Sequence, residues 1–110
     1  MKWQCGGCGL VWDGDDAPET CPKCGAPKEK FAKLDAERVK LIDRSRKTNC
    51  LHMQLGALIA QVKDVADQGI EDNLDPGCLA IFTKTRDCAM VMAQQIKAEL
   101  ETHVKKGKWG

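Results

Sequence analysis

The chain has 110 residues, with 17 Lys and Arg against 16 Asp and Glu and a formal net charge of +1; its mass is 12.1 kDa and its mean hydropathy −0.40. That size allows one domain, or a very small module with a second element, and the near-balanced charge excludes a nucleic-acid binder recognised by its field alone. At 43% hydrophobic the chain can build a core, but 5% aromatic residues and no Tyr exclude a large aromatic core or stacking platform.

No apolar run approaches the ~20 residues of a membrane span. The start, Met1-Lys2-Trp3-Gln4-Cys5, lacks the apolar stretch of a signal peptide. The expectation is a cytoplasmic protein with no membrane partner. The cysteines support a reducing compartment. There are seven, an odd number, and four fall within the first 24 residues, whereas a secreted disulfide scaffold would favour an even count.

Residues 1–33 hold five of the ten Gly, three of the four Pro and two of the three Trp. This is turn chemistry rather than regular structure. Within it stand Cys5-Gly6-Gly7-Cys8 and Cys21-Pro22-Lys23-Cys24, twelve residues apart. Each pair sets two thiolates on one tight turn, and two such turns facing each other make a tetrahedral cage of four sulfurs. Gly6, Gly7, Gly9 and Gly25 permit a positive φ where the backbone bends around sulfur. Pro22 fixes φ in the second knuckle. A four-sulfur site takes zinc or iron, and spacing alone does not choose between them.

The stretch Trp3-Gln-Cys5-Gly-Gly-Cys8-Gly9-Leu-Val-Trp12-Asp13-Gly14, then Ala17-Pro18-Glu-Thr-Cys21-Pro22-Lys-Cys24-Gly25 and Lys28-Glu-Lys-Phe31, resembles rubredoxin, and more closely the short rubredoxin-like domain of rubrerythrin. The resemblance covers residues 2–34. It implies one iron held by Cys5, Cys8, Cys21 and Cys24, cycling by one electron, with Trp3, Trp12 and Phe31 placed against the site. The segment between the knuckles is shorter than in full-length rubredoxin, so the rubrerythrin-type short form is the one that fits. Leu10 and Trp12 stand where the family often has Tyr, and a zinc ribbon shares the same knuckles. Rubrerythrin also carries a di-iron helical bundle built on Glu-x-x-His pairs. The remaining chain has no such pair, so neither that centre nor peroxidase activity is implied.

From residue 34 the composition turns helical. Asp35 caps a first helix of about 35–68, with Gly69 in the left-handed closing position and Ile70 after it. Asp75 caps a second of about 76–106, Pro76 opens it, Leu74 and Leu79 form a hydrophobic staple, and Gly107 closes it. Similar lengths and a short loop predict an antiparallel hairpin. Its interface is expected from Leu51, Leu55, Leu58, Ile59, Val62, Val65 and Ala66 against Leu79, Phe82, Ala89, Met90, Ala93, Ile96, Leu100 and Val104, with Arg86 and Lys97 laying their stems along it. Cys50, Met53, Ala57 and Ala60 on the first helix, and Ile81, Cys88, Val91 and Met92 on the second, lie off this interface. A lone hairpin has no use for two apolar faces, so a homodimeric four-helix bundle is expected.

Cys50, Cys78 and Cys88 have no CxxC partner and read as small buried hydrophobes; Cys78, in a first helical turn, has redox sensing as its second reading. His52 and His103 read as packing or surface residues. Between residues 28 and 47 lie Lys28, Lys30, Lys33, Arg38, Lys40, Arg44, Arg46 and Lys47, a basic collar that is a solvated helix face or a docking patch for an acidic redox partner or nucleic acid. The fold expected is a rubredoxin-like or zinc-ribbon knuckle module, residues 1–33, followed by an all-α hairpin, residues 34–110. The function expected is non-enzymatic one-electron transfer with a reductase or acceptor. The alternative is a zinc-ribbon adaptor that binds a protein or nucleic-acid partner through its helices.

Overall fold

A computed structural model describes residues 1–110. Three short strands, β1 (Lys2–Cys5), β2 (Val11–Asp13) and β3 (Phe31–Lys33), precede two long helices, α1 (Ala36–Asp72) and α2 (Pro76–Lys105). The strands form an antiparallel sheet in the order β2-β1-β3, with Trp3 opposite Trp12 on one side and opposite Lys33 on the other. Turn chemistry in the sequence concealed them because each is only three or four residues long. The chain forms two compact units, one of residues 1–46 with 106–110 and the other of residues 47–105. The first extends beyond residue 33 to take in the opening turns of α1 and the last five residues.

In the first unit the core is small. Cys5 and Cys21 are buried in the knuckles and Ala17 in the segment between them, and Ile42 of α1 is fully buried. The last residues return to this unit. Arg38 Nε donates to the Gly107 carbonyl at 2.8 Å and Arg46 Nε to the Gly110 carbonyl at 2.8 Å. A Cβ on Gly110 would lie 3.0 Å from both Ile42 and Val11, so the tail is packed against strand and helix.

Local signals at the helix ends hold where they satisfy backbone donors. The Asp35 carboxylate accepts from the Arg38 N–H at 2.8 Å, and Asp75 accepts from the Cys78 N–H at 2.7 Å. These are side-chain caps. Gly107 has φ 73°, as a closing residue should. The end of α1 differs from expectation. Gly69 is helical, α1 runs on to Asp72, and Asn73 takes the left-handed position with φ 47°, a conformation Asn tolerates. The expected staple does not form a buried contact, for Leu74 remains exposed.

Gly69 serves packing instead. A Cβ there would stand 2.4 Å from the Phe82 ring of α2. Gly69→Ala would favour an isolated helix by about 0.5–1 kcal/mol, yet here it is expected to destabilise the protein by about 1–3 kcal/mol through overpacking. Urea unfolding followed by circular dichroism measures the sign; a more stable variant would contradict the close approach.

In the second unit the α2 side of the hairpin seam holds as expected at Phe82, Ala89, Ala93, Ile96 and Leu100, but the α1 side is not the one that hydrophobicity predicted. The α1 residues turned inward are Asn49, His52, Gly56, Ile59, Lys63, Ala66 and Ile70, alternating by three and four positions. Across from them on α2 stand Phe82, Arg86, Ala89, Ala93, Ile96, Leu100 and His103, with Ile59, Ala89 and Ile96 forming the buried cluster. This is heptad spacing. Of the seven α1 residues expected at the interface, only Ile59 and Ala66 are buried. Met90 and Val104 of α2 are exposed as well. Gly56, Ala66, Ala89 and Ala93 share the seam with the bulkier Ile59, Ile96 and Leu100, while the larger aliphatic side chains of α1 one position earlier are turned about 100° away. At one end of the seam, buried His103 has Nδ1 2.5 Å from Asn49 Oδ1 and Nε2 3.3 Å from Glu99. His52 meets its ring edge-on. Both histidines therefore pack, as expected.

Candidate metal centre

The two knuckles are built alike. In the first, the Cys5 N–H donates to the Leu10 carbonyl at 2.9 Å and the Gly9 N–H to the Cys5 carbonyl at 2.9 Å. In the second, Cys21 N–H donates to Ala26 at 2.8 Å and Gly25 N–H to Cys21 at 2.9 Å. Gly9 and Gly25, each just after the second cysteine of its pair, have φ of 80° and 78°. That is the turn a residue with a Cβ resists. Gly6 and Gly7 do not adopt a positive φ. Gly6 instead gives its N–H to the Lys30 carbonyl at 2.8 Å, tying the first knuckle to the turn that leads into β3.

These turns bring Cys5, Cys8, Cys21 and Cys24 together, with all four sulfurs within 4.8 Å of one another. Cys5 and Cys24 Sγ are 3.7 Å apart, as are Cys8 and Cys21. A tetrahedron with metal–sulfur bonds of about 2.3 Å has edges of about 3.8 Å. The donor set and its spacing therefore fit a tetrahedral thiophilic ion, zinc or iron alike. Cys5 and Cys21 are buried, Cys8 is half-buried and Cys24 exposed, so the site is closed on one side and reaches the surface on the other.

The backbone prepares the sulfurs for negative charge. N–H groups of Cys24 and Lys23 bring the Cys21 thiol down to about 6 against the opposing effect of burial. At Cys24 the Ala26 N–H lowers the thiol, but burial and the thiols of Cys8, Cys21 and Cys5 push it up to about 12. Four thiols crowded together cannot all ionise without a cation between them. An ion bound there removes that conflict.

The aromatic residues frame the module rather than fill it. Trp3 is half-buried and its indole N–H donates to the Gly14 carbonyl at 3.1 Å, with Lys33 Nζ 6.0 Å from the ring centroid. Phe31 is half-buried and Trp12 exposed. The other cysteines stand apart from the cluster. Cys50 and Cys88 are exposed, not buried hydrophobes. Cys78, partly buried, points its thiol toward the Asp75 carboxylate, which that residue's N–H and thiol together hold below the usual carboxylate range.

The basic collar is partly consumed locally. Lys28 pairs with Asp16 at 2.6 Å and Glu19 at 3.3 Å. Sequence reading missed the most buried cation, Lys2, whose Nζ lies 2.7 Å from Asp13 and 2.9 Å from Asp43. Arg46 closes the group with two bonds to Asp13, of 2.6 and 3.0 Å. The Asp13-Gly14 pair in the motif was a visible signal for one member of this network.

Two knuckles of this form on a three-stranded sheet define a rubredoxin-type four-cysteine metal module. Residues 3–32 match the family model of the rubrerythrin rubredoxin-like domain. Over 36 residues the chain is 50% identical to reverse rubrerythrin-1 of Clostridium acetobutylicum, covering 33% of this chain and 20% of that protein. Over 33 residues it is 52% identical to rubrerythrin of Nitratidesulfovibrio vulgaris, covering 30% and 17%. A rubrerythrin of Clostridium perfringens is 48% identical over 31 residues, covering 28% and 16%. The matching segment thus spans a fifth or less of each relative's length, and it is the metal module. No solved structure matches the chain significantly. No helix is long and apolar enough to cross a membrane.

Proposed function

We propose that this protein is a one-electron carrier whose four cysteines hold a single iron ion. The observation that carries the reading is the tetrahedral set of four sulfurs inside a segment similar to the rubredoxin-like domains of rubrerythrins. Bound iron supplies a ferric/ferrous couple, and four thiolates suit both states. The chain's own part is to hold the sulfurs at fixed spacing, so that little rearrangement accompanies the change of charge. Backbone N–H groups at Cys21 and Cys24 compensate negative charge on sulfur. Their number and the burial of Cys5 and Cys21 tune the potential. Cys8 and Cys24 bring the edge of the site to the surface, where a partner exchanges the electron. Lys23 and Lys30 are exposed around that edge and suit an acidic redox protein. Peroxide reduction by this chain alone is not part of the proposal, because the helices carry no Glu-x-x-His pair.

Protein isolated anaerobically from its own host decides the matter. One iron per chain and a reversible one-electron titration of the ferric thiolate absorption are expected. One zinc per chain with no redox wave would reject electron transfer and favour the adaptor reading, since zinc has no redox chemistry.

A further inference from the structure

The hairpin seam takes Ile59 and Ala66 of the apolar residues in the middle of α1 and leaves five larger aliphatic side chains of that helix outside. Leu51, Leu55, Leu58, Val62 and Val65 each precede a seam residue by one position and keep the same alternation of four and three. They form a second heptad stripe about 100° around α1 from the first. All five are exposed, Leu58 at 56% and Val65 at 62%. On the same side of α2 lie Ile81, exposed at 66%, and Met92. The two helices share this face: one groove is lined by Leu58, Val62 and Val65 with Ile81 and Thr85, and another by Leu55 with Met92.

Two further observations identify what covers the face. The first is charge. Residues 48–62 of α1 and 88–96 of α2 contain no Asp, Glu, Lys or Arg, in a chain that is 30% charged. Depletion of charge marks the centre of a buried interface, and this belt offers no sign of charge by which an unlike partner would be selected. The second is area. The seven exposed aliphatic side chains present on the order of 600 Å² of apolar surface, the upper limit for the largest patch on a typical monomer. With a polar rim that approaches the roughly 800 Å² per partner of a standard stable interface. The angle between the stripes is the remaining requirement. In a four-helix bundle each helix touches two neighbours at about a right angle, and here the first stripe meets its own partner helix while the second is left for another.

We infer that this face is the interface between two copies of the chain, which pair with two-fold symmetry so that the Leu51–Val65 stripe of each hairpin packs into the face of the other. The pairing is independent of which metal the cysteines hold. Closed two-fold association covers the same patch on both copies at once.

Sedimentation equilibrium of the full, metal-loaded chain at about 1–100 μM is the test. The expected mass is twice 12.1 kDa. Val62→Glu is expected to weaken the dimer about a hundredfold or more while helicity and metal content stay unchanged. Met53→Glu, on the opposite side of the hairpin in the groove with Met90 and Lys97, should leave the dimer intact. Should Val62→Glu fail to fold, Ile81→Glu probes the same face from α2. A wild-type monomer throughout the range would overturn the inference. So would a dimer indifferent to both Val62→Glu and Ile81→Glu, or one that Met53→Glu disrupts equally.

Discussion

Cys21→Ser is expected to abolish stable metal binding and unfold the N-terminal module, with affinity for zinc or iron lowered by about a thousandfold or more. The size of the effect follows from how little else holds the module. Its strands are three or four residues long, its aromatic residues are half-buried or exposed, and the cysteines themselves supply much of its buried core. So small a segment relies on its metal for folding energy. Cys21 is the buried member of its knuckle and receives the N–H groups of Cys24 and Lys23. A serine oxygen there is a poorer ligand for a soft site. Metal stoichiometry after chelator competition, read with near-ultraviolet circular dichroism, measures it. Full retention of metal at wild-type affinity would remove the four-cysteine assignment. Cys50→Ser and Cys88→Ser, altered in parallel, should leave metal binding unchanged.

Asp13→Ala is expected to destabilise the protein by about 2–3 kcal/mol at pH 7, because it leaves the buried Lys2 ammonium with half its compensation. Lys2 is only 6% exposed. Burial lowers its pKa, but its bonds to Asp13 and Asp43 outweigh that and raise it overall. Asp13 is the hub, accepting from Arg46 as well as Lys2, and those two partners hold its carboxyl down to about 2 from 3.8. A carboxyl depressed on folding contributes its full stabilisation above the unfolded value of 3.8. That contribution is lost as the pH falls from there through about 2. Since Asp13 is half exposed, solvent screening trims the direct ion-pair share to about 1 kcal/mol; the rest of the expected loss comes from the desolvated lysine left behind. Chemical denaturation of the metal-loaded protein at pH 7 gives the difference. A loss below about 0.5 kcal/mol would show that Asp43 alone satisfies Lys2.

Legibility in the sequence divides along the range of the forces involved. The four-cysteine site could be read directly, because each knuckle is a turn of a few residues whose spacing and following glycine determine its geometry locally. The caps at Asp35 and Asp75 and the closing Gly107 were legible for the same reason: each satisfies backbone groups within one turn. The hairpin as such followed from two helical patterns and a short loop.

Which face of α1 turns inward was not legible. Hydrophobicity singles out Leu51, Leu55, Leu58, Val62 and Val65 together with Ile59 and Ala66, but only the last two are buried, and His52, Gly56 and Lys63 complete the seam, because the face that turns inward is set by the α2 residues it meets and not by the apolar content of α1 alone. Gly69 looked like a helix end and is a space left for the Phe82 ring, thirteen residues on. The return of residues 106–110 to Ile42 and Val11, and the burial of Lys2 between Asp13 and Asp43, join residues 11–99 positions apart. By itself the sequence determined the two cysteine pairs, the knuckle turns and the helix boundaries marked by side-chain caps, all of which depend on neighbours within a few residues. Only the tertiary structure decided which helix faces meet, which lysine is buried and where the tail docks, because packing and desolvation are set by groups that the chain brings together from a distance.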